Sequence, residues 1–226
     1  MFTASHNPAA YNGIKLCRAG AKPVGKETGL TDISNEVIDG VPGHDGAAGT
    51  VEERDVLAEY GTFLRSLVDV SALRPLRVSV DAGNGMGGHT TPAVLGTVGS
   101  ITLLPLYFEL DGTFPNHEAN PLDPANLVDL QKHVVENGAD IGLAFDGDAD
   151  RCFVVDEKGD PVSPSAVTAL VADRELARES GATVIHNLIT SRAVPELIEE
   201  RGGTAVRSRV GHSYIKALMA ETGAIF

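Results

Sequence analysis

Short apolar segments alternate with segments of helical spacing through most of this 226-residue chain. Alternating or continuously apolar runs predict strands, and apolar residues at three- and four-residue steps predict helices. Strands are predicted at residues 76–81, 101–107, 140–145, 152–155, 183–186 and 205–208. Helices are predicted from 91, from 123, at 165–179 and at 191–201. Such alternation predicts layered α/β units with mostly parallel strands.

The pattern runs twice, which predicts a complete domain near residues 60–160 and the start of another from about 161. Residues 1–50 are predicted to be loop-rich, and residues 51–73 have the spacing of one long helix that could link two domains. A dense polar motif opens the chain, and Gly223 precedes a short apolar segment that resembles a helix stop and the start of a strand. We therefore expect this chain to be part of a longer protein.

Charge and composition exclude several classes of function. The chain has 18 basic and 31 acidic residues, a net charge of −13, so it is a poor candidate for nucleic-acid or anionic-membrane binding. No apolar run has the length of a membrane helix, and no signal peptide is evident. Cys17 and Cys152 form no disulfide framework, which favours a cytoplasmic location. No obligate protein partner is indicated.

An acidic cluster follows the strand predicted at 140–145. Asp146, Asp148 and Asp150 alternate with small residues and can turn toward one point, where their hard oxygen ligands suit Mg²⁺. Arg151 beside them suits a phosphate near the metal. One alternative is an acidic surface turn. Another is a helix–loop–helix calcium site, which Glu157 at loop position 12 fits but Arg151 at position 6, where glycine is required, does not.

Ser5 is a candidate nucleophile near the start of the chain. A serine needs an activating neighbour, and His6 and Lys15 are close in sequence. The Asn-Pro pair at 7–8 favours a turn that could project the hydroxyl. Taken alone, a stretch of this kind is most often an ordinary turn.

Two glycine-containing segments could contact a ligand. Gly211-His212-Ser213 precedes a predicted helix and could place His212 and backbone N–H groups on an anion, or Ser213 could be an ordinary N-cap. Residues 81–88 have Gly-x-Gly spacing without the full dinucleotide fingerprint. We interpret this second segment as a tight strand–helix turn.

Together the segments resemble the α-D-phosphohexomutases, in particular the bacterial phosphomannomutase/phosphoglucomutase family. The resemblance rests on Thr-Ala-Ser-His-Asn-Pro at 3–8 with Asn-Gly-Ile-Lys at 12–15, Asp-Gly-Asp-Ala-Asp-Arg at 146–151 and Gly-His-Ser-Tyr-Ile-Lys at 211–216, in this order. Asp-Ala-Gly-Asn-Gly at 81–85 and Phe-Pro-Asn-His-Glu-Ala-Asn-Pro at 114–121 also look like family segments. The likeness spans essentially the whole chain.

The resemblance implies an α/β fold of tandem three-layer α/β/α domains with mixed, mostly parallel sheets. Residues 1–58 would be a remnant of the first domain with the phosphoserine loop and a linker. Residues 59–160 would be the second domain with the metal-binding loop, and 161–226 the start of the third. Most of the first domain, the end of the third and all of the fourth would be missing, so we expect little or no turnover from these residues alone.

The family moves a phosphoryl group between O1 and O6 of a hexose, and the resemblance implies roles for particular residues. Ser5 would carry the phosphate, and Asp146, Asp148 and Asp150 would hold Mg²⁺ together with an oxygen on Ser5. Arg151 would steady the same phosphate and contact substrate.

Proton transfer and substrate binding would fall to other side chains. Lys15 would be a general acid/base, with His6 as a second candidate, and His212 would bind the resting sugar phosphate. Hexose phosphates would be the partners, and a hexose 1,6-bisphosphate the activator and intermediate. Three rival hypotheses are a phosphoglucosamine mutase, a catalytically silent phosphosugar-binding module and a metal-dependent phosphatase.

Overall fold

The structure is a computed structural model that describes residues 1–41, 43 and 45–226; in residues 212 and 213 it describes the backbone alone. It divides into two compact units, Met1–Gly159 and Asp160–Phe226. Among the described residues, no helix combines the length and the hydropathy that a membrane-spanning segment requires. The domain bounds 1–58, 59–160 and 161–226 stay predictions.

The first unit begins with an exposed segment. β1 (Cys17–Arg18) pairs antiparallel with β2 (Lys22–Pro23), and α1 spans Leu30–Asp39. The helix α1 was not predicted within this loop-rich region, although Leu30, Ile33 and Val37 have helical spacing. Of the residues described before Gly61, none is buried.

The helix predicted at residues 51–73 is shorter than expected, because α2 spans only Leu57–Ser66. The Asp55 carboxylate accepts the N–H of Leu57 at 2.9 Å, and this local turn starts the helix. Beyond its end, the Asp69 carboxylate accepts both the N–H and the hydroxyl of Ser71. Side chains that bond nearby backbone groups in this way compete with helix, so the prediction of one long linking helix was wrong at both ends.

A mixed sheet is the centre of the first unit. Within this unit its strands are β3 (Leu76–Asp81), β4 (Ile101–Leu106), β5 (Ile141–Phe145) and β6 (Cys152–Val155). They are adjacent in the order β4-β3-β5-β6, with β3 parallel to both neighbours and β6 antiparallel to β5. The predicted strands of this region and the mixed, mostly parallel sheet are confirmed.

Helices α3 (Gly87–Val94) and α4 (Val128–Glu136) connect these strands. A 3₁₀ turn, Pro124–Leu127, leads into α4, and the Asp123 carboxylate caps it by accepting the N–H of Ala125. This confirms the helix start predicted from Asp-Pro.

The core of the first unit lies between α4 and the sheet. Its buried residues are Leu127, Leu130, Val134, Ala139, Ala144 and Val155. Because β3 and β5 are adjacent and parallel, their carboxyl ends meet at one edge, where α/β sheets place ligands. Asp81 ends β3 and Asp146 follows β5 at this edge.

The second unit continues the alternation. Its elements are β7 (Pro161–Val162), α5 (Pro164–Arg178), β8 (Thr183–Asn187), α6 (Ala193–Glu200), β9 (Thr204–Ser208) and α7 (His212–Thr222). The strands β8 and β9 are parallel. Its core consists of Ala172, Leu176, Val184, Val194 and Ile198.

The helix stop predicted near the end of the chain is confirmed. Gly223 has a left-handed φ of 67° and ends α7, as glycine commonly does. The N–H of Ile225 then donates to the Thr183 carbonyl, and the N–H of Ile185 donates to the Phe226 carbonyl. Residues 225–226 therefore lie beside β8.

Candidate active site

The acidic loop, residues 146–151, is a tight turn between β5 and β6. The Asp146 carbonyl accepts the N–H of Ala149 at 2.9 Å, and its carboxylate accepts the N–H of Arg151 at 3.0 Å. Ala149 adopts a left-handed φ of 57° to close the turn. As a result, one carboxylate oxygen from each of Asp146, Asp148 and Asp150 lies within 4.8 Å of the others.

The burial of Asp146 and the strands on either side of the loop argue against the two alternatives that the sequence left open. Asp146 is fully buried, which a solvated surface turn would not require. The loop joins β5 to β6, whereas a helix–loop–helix calcium site needs helices on both sides.

The pKa values of Asp146 and Asp148 shift in opposite directions. Burial raises the pKa of Asp146, and the charges of Asp148 and Asp150 add to the effect. Although burial opposes the change, hydrogen bonds from Thr3 and Lys15 lower the pKa of Asp148. A cation bound at this point would neutralise the repulsion among these groups.

The donor set suits a hard divalent cation. Every candidate ligand atom is a carboxylate oxygen. Asp148 Oδ1 is buried, and within the described part of the chain it has no hydrogen-bond partner. A buried carboxylate oxygen that lacks a donor is costly, so it provides a ready ligand for a metal.

The serine loop, residues 3–8, contacts the acidic loop directly. Ser5 Oγ donates to Asp146 Oδ2 at 3.1 Å, and Thr3 Oγ1 donates to Asp148 Oδ2 at 2.8 Å. The N–H of Ser5 donates in turn to Thr3 Oγ1 at 2.9 Å. Ser5 has a left-handed φ of 56°, a conformation in which a non-glycine residue is held only by its surroundings.

The glycine between the first two carboxylates has a steric role. A Cβ at Gly147 would collide with the Ser5 carbonyl oxygen. The backbones of the two loops therefore touch at this position. Glycine allows the acidic loop to approach the nucleophile at a distance that another residue would prevent.

Two basic side chains contact the carboxylates: Lys15, which follows the serine loop in sequence, and Arg151, which ends the acidic loop. Lys15 Nζ donates to Asp148 Oδ2 at 3.0 Å and to Asp150 Oδ2 at 2.9 Å, and these hydrogen bonds raise the pKa of Lys15. Arg151 Nε lies 3.9 Å from Asp146 Oδ2 and 3.8 Å from Asp150 Oδ1. Lys15 is thus held as an ammonium group against Asp148 and Asp150.

His6 joins the same cluster. Its Nδ1 lies 2.6 Å from Arg151 Nη1 and 3.3 Å from Ser5 Oγ. A guanidinium can only donate, so Nδ1 is the acceptor and the ring proton is at Nε2. A cavity of about 560 Å³ opens beside these groups, and its lining includes Ser5, Asp148 and Phe114.

The structure brings together seven of the residues that the sequence singled out. These are Ser5, His6, Lys15, Asp146, Asp148, Asp150 and Arg151. His212 stands at the first position of α7 in the second unit, and its side chain lies outside what the structure describes.

Sequence reasoning missed two contributors. Thr3 bridges Ser5 and Asp148, although nothing marks this threonine except its closeness to Ser5. The turn at 81–88 is hydrogen-bonded to the acidic loop, since the N–H of Met86 donates to the Gly147 carbonyl at 3.0 Å. The glycines of this turn follow β3, the strand beside β5, and they were the sequence signal that could have indicated this role.

Comparison with known proteins assigns the family. Models of three phosphoglucomutase/phosphomannomutase alpha/beta/alpha domains match the chain: domain I at residues 1–39, domain II at 58–159 and domain III at 163–226. The chain belongs to the phosphoglucomutase/phosphomannomutase family.

Individual relatives agree with this assignment. A phosphomannomutase of Salmonella montevideo is 39% identical over 230 residues, which cover 99% of this chain and 50% of that protein. A phosphomannomutase/phosphoglucomutase of Pseudomonas putida is 40% identical over 227 residues, covering 100% of this chain and 47% of that protein.

A solved structure of the same family has a similar fold. A phosphoglucomutase/phosphomannomutase family protein of Burkholderia thailandensis matches with a TM-score of 0.86 and 33% identity, over 99% of this chain and 47% of that one. The chain thus spans about half the length of the relatives it matches.

Proposed function

We propose that the protein to which this chain belongs is a Mg²⁺-dependent phosphohexomutase that interconverts a hexose 1-phosphate and a hexose 6-phosphate. The observation that carries the proposal is the hydrogen bond from Ser5 Oγ to Asp146 Oδ2, at 3.1 Å, within a cluster of carboxylates and cations. A pure phosphosugar-binding module has no need of a nucleophile beside a metal-binding loop.

Ser5 would carry the phosphoryl group between the two halves of the reaction. In the first half, a hydroxyl of the sugar monophosphate attacks phosphoserine, the bond from Ser5 Oγ to phosphorus breaks, and a hexose 1,6-bisphosphate forms. In the second half, Ser5 Oγ attacks the other phosphate of the turned bisphosphate, the bond from that phosphorus to its sugar oxygen breaks, and the phosphoserine and the isomeric hexose monophosphate form. This transfer depends mainly on positioning and on charge stabilisation.

Asp146, Asp148, Asp150 and an oxygen on Ser5 would hold Mg²⁺. When bound, this ion would offset the negative charge that spreads over the phosphoryl oxygens. Arg151 would orient the same oxygens, since its guanidinium lies at the edge of the carboxylate cluster and beside His6.

Lys15 would act as the general acid/base. Its contacts with Asp148 and Asp150 hold it as an ammonium group, so it can donate a proton to the sugar oxygen that leaves. The amine that remains can accept the proton of the attacking sugar hydroxyl in the opposite half-reaction. His6, 3.3 Å from Ser5 Oγ, is the second candidate. By the family resemblance, His212 would contact the resting phosphate.

Peptide mass measurement after incubation with Mg²⁺ and glucose 1,6-bisphosphate tests the nucleophile. We expect one added phosphoryl group on the peptide that contains Ser5, and none in Ser5→Ala or Asp148→Asn. The matched control is Ser34→Ala, which removes an exposed hydroxyl from α1 and should be labelled like the wild type. If a chain extended at both ends is also unlabelled at Ser5, the assignment of the nucleophile is wrong.

Product analysis on that extended chain tests the reaction itself. A mutase should convert hexose 1-phosphate to hexose 6-phosphate with little free phosphate, because its phosphoserine is shielded from water. Steady release of inorganic phosphate would instead indicate a phosphatase. Glucose, mannose and glucosamine phosphates, assayed side by side, would identify the preferred sugar.

A further inference from the structure

His117 lies on the loop between β4 and α4, and both of its ring nitrogens face oxygen atoms. Nε2 is 2.9 Å from Asp81 Oδ2, and Nδ1 is 2.8 Å from the Glu118 carbonyl oxygen. A carbonyl oxygen can only accept, and so can an ionised carboxylate. Both contacts are hydrogen bonds only when both nitrogens carry a proton, which makes the ring an imidazolium.

The surroundings of His117 favour this charged form. The hydrogen bond to Asp81 raises the pKa of His117; burial opposes the shift, and the Glu118 carbonyl and the Asp129 charge on α4 support it. Tyr107 at the end of β4 packs edge-on against the ring at a centroid distance of 5.4 Å and donates its hydroxyl to Asp129. The titratable groups that face the ring are thus Asp81, Asp129 and Tyr107.

The partner of His117 anchors the turn at 81–88. Asp81 is buried at the end of β3, and its other carboxylate oxygen accepts the N–H of Gly83 at 2.8 Å. Three residues further on, the N–H of Met86 donates to the Gly147 carbonyl at 3.0 Å. A Cβ at Gly85 would lie 2.7 Å from that same carbonyl oxygen, so the turn packs tightly against the acidic loop.

The loop of His117 also holds this turn from the other side. Asn84 has a left-handed φ of 59°, and its amide nitrogen Nδ2 donates to the Glu109 carbonyl at 2.8 Å. Asn116, next to His117, donates to Asn84 Oδ1 at 2.8 Å. Every one of these contacts is polar, so their geometry depends on donors and acceptors remaining in place.

We propose that His117 is a positioning residue for the acidic loop: as an imidazolium it ties the loop of residues 107–120 to Asp81 and so fixes the turn on which Gly147 rests. His117 touches none of the reacting groups and acts through Asp81 and Met86. The importance of this role for catalysis rests on the proposed function. The positioning itself does not, and it can be measured separately.

Ring ¹⁵N NMR of the wild-type chain tests the protonation state without any variant. At pH 7 we expect both nitrogens of His117 to show protonated shifts and directly bonded hydrogens. A neutral ring with one bare nitrogen would overturn the proposal.

Amide hydrogen exchange of Met86 tests whether His117 stabilises the hydrogen bond from Met86 to the Gly147 carbonyl. We expect exchange at Met86 to be about tenfold faster in His117→Gln, which fills the space but cannot donate in both directions. His117→Arg keeps a cation with several donors, so it should restore part of the protection, which a purely space-filling role would not predict. The control, His89→Gln, removes an exposed histidine of α3 and should exchange like the wild type.

Mn²⁺ affinity, followed by solvent proton relaxation, reports the effect on the acidic loop. We expect His117→Gln to bind Mn²⁺ about tenfold more weakly than His89→Gln, the size of effect typical of residues that orient metal ligands. Unchanged Met86 exchange in His117→Gln would overturn the positioning role. If the chain extended at both ends takes up no phosphate on Ser5 while His117→Gln still accelerates exchange at Met86, the proposed function alone is contradicted.

Discussion

The two halves of the candidate active site are held in different ways. The acidic loop is set between two strands of a sheet, and Asp146 at its start is fully buried. The serine loop belongs to a segment in which none of the residues described before Gly61 is buried. The side chains that connect this segment to the acidic loop do so through polar contacts: Thr3, Ser5 and Lys15 donate hydrogen bonds to the carboxylates.

This difference shows that the sheet fixes the carboxylates, whereas the carboxylates fix the serine. A loop without buried apolar side chains gains little from the hydrophobic effect, so its conformation depends on its hydrogen bonds. The left-handed conformation of Ser5 needs such support. Changes in the acidic loop should therefore disturb both halves, whereas changes in the serine loop should stay local.

The largest effect is expected from Asp148→Asn, which breaks the connection between the halves. The amide loses the negative charge that faces Thr3 and Lys15. We expect Mn²⁺ affinity to fall by at least about 100-fold, and amide exchange in residues 3–16 to accelerate. Asp32→Asn, an exposed carboxylate on α1, is the charge-matched control. Unaltered exchange in the serine loop would show that something other than Asp148 holds it.

A second substitution, Gly85→Ala, adds a methyl group between the turn at 81–88 and the acidic loop. The new Cβ would meet the Gly147 carbonyl oxygen at 2.7 Å and Gly147 Cα at 3.0 Å. Overpacking against backbone should lower the free energy of unfolding by about 3 kcal/mol, measured by urea titration. At Gly99 a Cβ meets nothing within 4 Å, so Gly99→Ala is the control. Equal midpoints for the two variants would mean that the turn and the loop are not tightly packed.

Stability should depend on pH through His117. Its pKa is raised above the ordinary value of 6.5, chiefly by the hydrogen bond to Asp81. A raised folded-state pKa means that the stabilisation is complete below about pH 6.5 and is lost as the pH rises through the raised value. We expect His117→Gln to cost about 2 kcal/mol at pH 6 and progressively less at higher pH.

Urea midpoints measured from pH 5.5 to 9 check this prediction, with His89→Gln as the reference. A gap between the two variants that widens with increasing pH would have the wrong sign and would contradict it.

The smallest effect is expected from Thr3→Val, which keeps the shape of the side chain but removes its hydroxyl. The N–H of Ser5 then loses its acceptor and Asp148 loses a donor. We expect a local loss of about 1 kcal/mol, seen as faster exchange at the Ser5 amide with little change in the urea midpoint. Thr97→Val, at an exposed threonine, should change neither value. A large shift in the midpoint would make the serine loop part of the cooperative core.

Much of the fold could be predicted from local patterns. Asp123 caps the turn before α4, and Gly223 ends α7, because both signals act within a few residues. The long helix predicted at 51–73 was wrong because Asp55 and Asp69 bond neighbouring backbone and hydroxyl groups instead. The helix α1 was missed although Leu30 and its apolar neighbours had the right spacing.

The candidate site was predicted as a set of residues but not as a network. Three carboxylates on one turn are a local feature, and so is Arg151 beside them. Thr3 and Asp148 are 145 positions apart, and His117 and Asp81 are 36 positions apart. Local sequence spacing therefore predicts neither contact.

The sequence by itself determined which residues alternate as strands and helices, and which side chains carry carboxylate, hydroxyl and cationic chemistry, because these depend on neighbours along the chain. Only the tertiary structure decided that Ser5 meets Asp146, that Gly147 must be small, and that Asp81 and His117 support the acidic loop. These contacts arise where parallel strands bring their carboxyl ends to one edge, and that adjacency is a property of the folded sheet.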